Sequence, residues 1–206
     1  MAYRIAICGK MRSGKGTIAR HLFLEHGFKE VAFADRLKTI ADELFLGTET
    51  YPSEKIYKEC PFSEGGKAVV GEKKPRRLYQ DVGEKLRELD PLVWVRQAEK
   101  TILFYENYKD HIGVVISDLR LPIEEQWAKD NGFIIIRVNA DESDRLARIE
   151  RAGDDFKAED LRHETEQYVD SIEADYDIWN GEGVSEGDLR RKVGEIMSEI
   201  KAKGGR

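Results

Sequence analysis

Gly9-Lys10-Met11-Arg12-Ser13-Gly14-Lys15 sets two glycines and a lysine in the spacing G-x-x-x-x-G-K, followed by Gly16 and Thr17. Glycines let successive backbone N–H groups curl around a phosphate chain, and a lysine ammonium bridges neighbouring phosphates. Such a cradle needs a strand before it and a helix after it, because the helix head adds unpaired N–H groups and its positive dipole end. Both are present. Residues 3–8 (YRIAIC) form an apolar run of strand formers, and 15–26 reads as a helix stopped by Gly27. Residues 9–17 are therefore expected to hold a nucleotide's phosphates, with Lys15 as the main charge. The competing reading is a chance match in a tight strand–helix turn.

A second candidate ends another apolar run. Residues 114–117 (VVIS) lead into Asp118. Ligands of parallel α/β sheets gather outside the carboxyl ends of the strands, where an Asp can orient magnesium through water. The alternative is a turn or helix-cap acid. Phosphoryl transfer between two nucleotides also needs cations, and arginine offers a fixed fork of donors. Arg36, Arg87, Arg120, Arg148, Arg151 and Arg162 are candidates, and Arg12 lies inside the loop itself. A solvated salt bridge competes for each, least for Arg120, which follows a strand end at the expected active edge. His21, His26, His111 and His163 show no metal spacing, although His163 could touch a base or phosphate. Trp94 and Trp127 read as core, and Cys8 as a small buried strand residue.

These residues must be carried by a fold that 206 residues can build. With 40% hydrophobic and 36% charged residues the chain is expected to be globular, neither disordered nor fibrous. A net charge of −6 argues against a broad nucleic-acid surface. Two cysteines, Cys8 and Cys60, make neither a disulfide framework nor a zinc site, which fits a cytoplasmic setting. The first ten residues do not read as a signal peptide, and no apolar run nears the ~20 residues of a membrane span.

Further strands are expected at 28–34, 113–117, 133–138 and 176–179. Helices are expected from Asp35 as N-cap to Phe45, and at 75–89, 91–108, 122–131, 141–151 and 185–202. Continuous apolar strands alternating with helices predict an α/β three-layer domain with a parallel sheet covered on both faces. Residues 47–75, with Pro52, Pro61, Gly65, Gly66 and Gly71, read as an irregular insertion, and 152–165 as a polar loop with one helical turn.

The form G-K-G-T at 14–17 resembles nucleoside monophosphate kinases, in which the later hydroxyl, here Thr17, helps hold magnesium waters. Further segments resemble the bacteriophage type of deoxynucleoside monophosphate kinase. Phe33-Ala34-Asp35-Arg36-Leu37-Lys38 is similar to its FAD-x-LK segment. Gln80, Gly83, Arg87, Asp90, Pro91 and Trp94 fit its Q-x-x-G…R…DP-x-x-W stretch. Ser117-Asp118-Leu119-Arg120-Leu121-Pro122-Ile123-Glu124 fits SD-x-R-x-P-x-E, and Asp177 to Gly181 looks like a late strand end shared with related kinases. Phosphomevalonate and dephospho-coenzyme A kinases share parts of these patterns.

The resemblance implies one P-loop NTPase domain over residues 1–206, with a five-stranded parallel sheet in order 2-3-1-4-5. It implies a mobile substrate-side insertion at 47–75 and a lid-like segment at 148–165 bearing Arg148 and Arg151. Asp35, Arg36, Lys38, Gln80, Arg87 and Arg120 would face the acceptor monophosphate, and Asn180 and Gly181 the donor base. Thr17 and Asp118 would serve magnesium. ATP and Mg2+ are thus the expected cofactors. The expected partners are small-molecule nucleotides, with no nucleic acid and no membrane, and a homodimer is compatible with the reading. The rivals are a kinase of another phosphorylated metabolite and a regulatory module that holds ATP without transfer.

Overall fold

The computed structural model describes residues 2–46, 76–107, 111–152 and 164–204. The 47–75 insertion and residues 153–163, with Arg162 and His163, lie outside the described residues. The chain divides into two units, Met1–Ala32 with Glu99–Arg206, and Phe33–Ala98.

The first unit holds a five-stranded sheet, β1 (Tyr3–Cys8), β2 (Phe28–Val31), β3 (Gly113–Leu119), β4 (Ile134–Asn139) and β5 (Tyr176–Trp179). Its order is β2-β3-β1-β4-β5, all pairs parallel, as the resemblance implies. Side chains alternate across a strand, and both faces are apolar here. Ile5, Ile7, Val115, Ile136, Val138 and Ile178 join a core with Ile18, Ala19 and Leu22 of α1 (Lys15–His26) and with Leu189, Val193, Ile196, Met197 and Ile200 of α8 (Glu186–Ala202). Ala6, Cys8, Val114, Ile116 and Ile135 point the other way and are equally buried. Each fully buried aliphatic side chain contributes about 1.5–3 kcal/mol, so the sheet's position is set from both sides.

Helix ends follow local chemistry. Gly27, at φ 69°, closes α1 with its N–H on the Leu22 carbonyl. Ser185 and Asp188 cap α8 reciprocally. The unit also contains α5 (Pro122–Asp130), α6 (Glu142–Ala152), the short α7 (Glu164–Gln167) and a 3-10 turn at Tyr168–Ser171. No helix among the described residues is long and apolar enough to cross a membrane.

In the second unit α2 (Ala34–Ala41) continues through a π-helical turn, Asp42–Leu46, and α3 (Arg76–Leu89) packs against it. Leu78 and Ala41 form its small core with Tyr79 and Val82, and the Tyr79 hydroxyl donates to Asp42 at 2.7 Å. Gly83 is the close approach: a Cβ there would stand 3.0 Å from Leu37 Cδ2, while its carbonyl accepts Trp94 Nε1 at 3.2 Å. Helix α4 (Val93–Glu106) starts later than the expected 91 because Asp90 accepts the Leu92 and Val93 amides through its side chain and carbonyl.

Several boundaries differ from the expected ones. β2 ends at Val31, not 34, where its pairing with β3 stops at Ile116. Asp35 lies in the first turn of α2 and is not its cap, a position taken by buried Phe33 in helical geometry. β3 runs two residues beyond Ser117, so Asp118 lies inside the strand; a register shift beside Ala6 lets Leu119 pair with Cys8.

Candidate active site

The loop joining β1 to α1 is bent by three residues with positive φ: Gly9 at 149°, Arg12 at 60° and Gly14 at 106°. A Cβ on Gly9 would stand 2.5 Å from the Val138 carbonyl, and one on Gly14 would overlap the Asn180 amide. Both positions require glycine. The amides of Gly14, Lys15 and Gly16, at the head of α1, have no acceptor among the described residues. The buried Ser13 hydroxyl likewise has no partner. Open amides, a helix N-terminus and an orphaned hydroxyl are the donor set of an anion cradle.

Lys15 is buried, and its ammonium folds back on the carbonyls of Gly9 (2.5 Å) and Lys10 (2.9 Å). Burial lowers its pKa to about 7, reinforced by the Arg120 charge and opposed by Glu166 and Asp118. A bound polyphosphate would supply the negative charge this ammonium lacks.

The expected donor-side residues meet around this loop. Asn180 at the end of β5 is buried and donates its amide to the Ser13 carbonyl at 2.7 Å. Arg148 of α6 donates to the carbonyls of Arg12 (3.1 Å) and Asn180 (2.8 Å). Arg145, which sequence reasoning missed, reaches the Met11 carbonyl at 3.4 Å. A cleft of about 1010 Å³ opens beside them, lined by Gly16, Thr17, Arg148, Arg151, Asn180 and Gly181 among others. Arg148 thus braces the loop, while Arg151 is exposed at the cleft wall. The Lys10 side chain turns aside to Asp170, at 2.5 Å.

Asp118 is half-buried near the carboxyl end of β3, close enough to influence both Lys15 and Glu124. The turn after it is built by Glu124, whose carboxylate accepts the Arg120 and Leu121 amides at 2.8 and 3.0 Å. Burial, then the Asp118 charge, pushes the Glu124 carboxyl up to about 8. The Arg120 guanidinium pairs with Glu166, another carboxylate not singled out from sequence. Glu124 lies inside the segment that fits SD-x-R-x-P-x-E, the signal that could have marked it; Glu166 has no periodic or motif signal.

Magnesium ordinarily takes one or two carboxylates with substrate phosphates and waters. One hydroxyl, Thr17, and one carboxylate, Asp118, suit that scheme; no group of three His, Cys, Asp or Glu placed to hold a metal occurs among the described residues. Buried Cys8, its thiol pushed up to about 12 by burial, is an inert neighbour.

The remaining acceptor candidates belong to the second unit. Asp35 and Arg36 are exposed on the first turn of α2, with Lys38 half-buried one turn on. Gln80 and Arg87 lie seven residues apart on α3, about two turns, and so share a face.

A phosphate loop between β1 and α1, with an acid near the end of the neighbouring β3, defines a P-loop nucleotide-binding protein. The sequence pattern of the AAA-domain family matches residues 5–170, and the chain belongs to that family of P-loop proteins. A protein of Acanthamoeba polyphaga mimivirus named "Putative deoxynucleotide monophosphate kinase" is 34% identical over 149 residues, 66% of this chain and 72% of that one. Among solved structures, TT1252 from Thermus thermophilus is similar with a TM-score of 0.58 and 22% identity, covering 97% of this chain and 98% of its own. A dephospho-CoA kinase from Campylobacter jejuni follows with a TM-score of 0.50 and 18% identity over 95% and 96% of the two chains. These two show a shared fold. With the viral relative and the family pattern they make the chain a P-loop kinase, a transferase.

Proposed function

We propose that the protein transfers the γ-phosphoryl group of ATP to a deoxynucleoside monophosphate, giving the diphosphate and ADP. The observation that carries the reading is the anion cradle itself: open amides at the head of α1, an orphaned Ser13 hydroxyl and a buried lysine short of negative charge. The viral relative's name supports the acceptor class.

In the transfer, an oxygen of the acceptor monophosphate attacks the γ-phosphorus in line, and the bond to the β–γ bridging oxygen breaks. The acceptor phosphate is already nucleophilic, so no strong general base is required. Positioning and charge neutralisation supply the acceleration. Lys15 and the amides of Gly14, Lys15 and Gly16 hold the donor phosphates. The cleft beside Asn180, Gly181 and Arg151 takes the nucleoside, with Arg148 fixing the loop against β5. Arg120 of the first unit faces the acceptor phosphate; in the second unit Asp35, Arg36 and Lys38 of α2 and Gln80 and Arg87 of α3 are the further groups proposed for acceptor binding. Thr17 and Asp118 would hold magnesium, which when bound offsets phosphate charge.

ADP production, measured by a coupled assay with a panel of deoxy- and ribonucleoside monophosphates, tests this. A deoxynucleotide should stimulate ADP formation at least about tenfold over the rate with ATP alone. Stimulation by another phosphorylated metabolite only, or by none, would reject the acceptor class.

A further inference from the structure

The carboxylate of Glu166 is 4% exposed and serves two distant groups at once. One oxygen accepts the Met11 amide of the phosphate loop at 2.7 Å, and the other pairs with Nη1 of Arg120 after β3. A buried carboxylate is costly unless charge-paired and hydrogen-bonded, and Glu166 is both. Its backbone is anchored as well. Asp170 of the following 3-10 turn holds Lys10 of the same loop at 2.5 Å, the Tyr168 hydroxyl donates to Glu125 of α5 at 2.6 Å, and Val169 is buried.

Two readings fit a carboxylate beside a phosphate loop. It could stand in for phosphate and compete with it, or it could fix the surrounding cation. The geometry separates them. Glu166 forms no ion pair with Lys15, whose ammonium lies on the Gly9 and Lys10 carbonyls. The amides of Gly14, Lys15 and Gly16 remain open among the described residues. Glu166 therefore sits on the rim, at Met11, and leaves the head of α1 clear. Arg120 is constrained twice: Glu124 takes its backbone amide and Glu166 its guanidinium.

We infer that Glu166 is a positioning residue, which locks the Arg120 guanidinium to the phosphate loop so that it meets the acceptor phosphate in one orientation. The inference rests on the transfer reading above. It adds that Glu166 acts through Arg120, on turnover rather than on donor binding. A guanidinium with a free arc of motion loses the near-attack alignment that transfer requires.

Two measurements test it. The first needs no acceptor. The Arg120 Nε–H resonance, identified by its loss in Arg120→Lys, and the Met11 amide should both shift in folded Glu166→Ala or Glu166→Gln. An unchanged Arg120 signal overturns the inference, whatever the acceptor proves to be. The second is kinetic, with the deoxynucleotide that the wild type phosphorylates. Glu166→Gln should lower kcat about tenfold or more, with the KM for ATP within about threefold. The double variant Arg120→Ala/Glu166→Gln should be no slower than Arg120→Ala alone, as for residues acting as a unit. A reduced KM for ATP with kcat kept would make Glu166 a competitor of phosphate. Multiplying losses in the double variant would make it independent of Arg120. Either result overturns the inference. Absent turnover in the wild type rejects the transfer reading and leaves the resonance experiment to decide on Glu166.

Discussion

The side-chain amide of Asn180 donates to the Ser13 carbonyl at 2.7 Å, joining the end of β5 to the phosphate loop across 167 residues of sequence. The same amide presses on Gly14, where no Cβ fits and φ is 106°. Gly14→Ala should therefore meet both a clash and a strained backbone, the latter alone costing on the order of 1–3 kcal/mol. Calorimetric affinity for ADP should fall at least about tenfold while the far-ultraviolet circular dichroism stays that of the wild type. The double variant Gly14→Ala/Asn180→Ala removes the clash but not the strain, so it should recover only part of the loss. Full recovery would mean the loop tolerates a side chain at 14.

Lys15→Ala should remove the charge that meets the phosphates and leave the sheet intact. We expect turnover to drop by at least ~100-fold, the scale of one major electrostatic stabiliser. A folded variant with near-normal activity would place the active site elsewhere.

The same lysine predicts a proton balance. Its pKa is lowered to about 7 in the empty protein by burial and then by Arg120. Phosphates favour the charged form, so the bound pKa is higher. Binding then takes up little proton below pH 7, where the ammonium is already formed, and takes up a proton as pH rises through 7. Affinity for ADP should be greatest below pH 7 and weaken above it. Calorimetry at pH 8 in two buffers of different ionisation enthalpy measures the uptake directly; equal apparent enthalpies would contradict it.

Glu124 carries the opposite sign. Burial, then Asp118, raises its folded pKa to about 8 from an ordinary 4.5. The stabilising contribution is complete below 4.5 and is lost as pH rises through about 8. Glu124→Gln keeps an acceptor for the Arg120 and Leu121 amides without a charge. Urea midpoints should show the variant less pH-dependent than the wild type between pH 5 and 8, and parallel curves would refute the account.

The parts of the site that were legible are those with local causes. The apolar run before Gly9, the glycine spacing and the stop at Gly27 placed β1, the loop and α1 to the residue. An Asp before a helical pattern signals a cap, which points to Asp35, whereas burial of Phe33 carries the helical geometry two residues earlier. The polar pair Ser117 and Asp118 marks the end of the apolar run, so the acid reads as the strand's end, yet the strand goes on to Leu119, which pairs with Cys8. Glu166 was not legible at all: its partners lie 155 and 46 residues away, and nothing in 164–167 repeats or alternates. Long-range pairing of single polar groups leaves no period in a sequence.

Arg87→Ala and Arg120→Ala should separate the two substrates. Each should weaken monophosphate binding more than ATP binding when the two are titrated singly. Loss of ATP affinity with monophosphate affinity kept would reverse the assignment of sides.

Label transfer tests phosphoryl transfer most directly. Incubation with γ-labelled ATP, magnesium and each deoxynucleoside monophosphate should move the label into the matching deoxynucleoside diphosphate, one for each ADP formed, and Lys15→Ala should stop it. Label released only as inorganic phosphate, at a rate indifferent to the acceptor, would contradict the account.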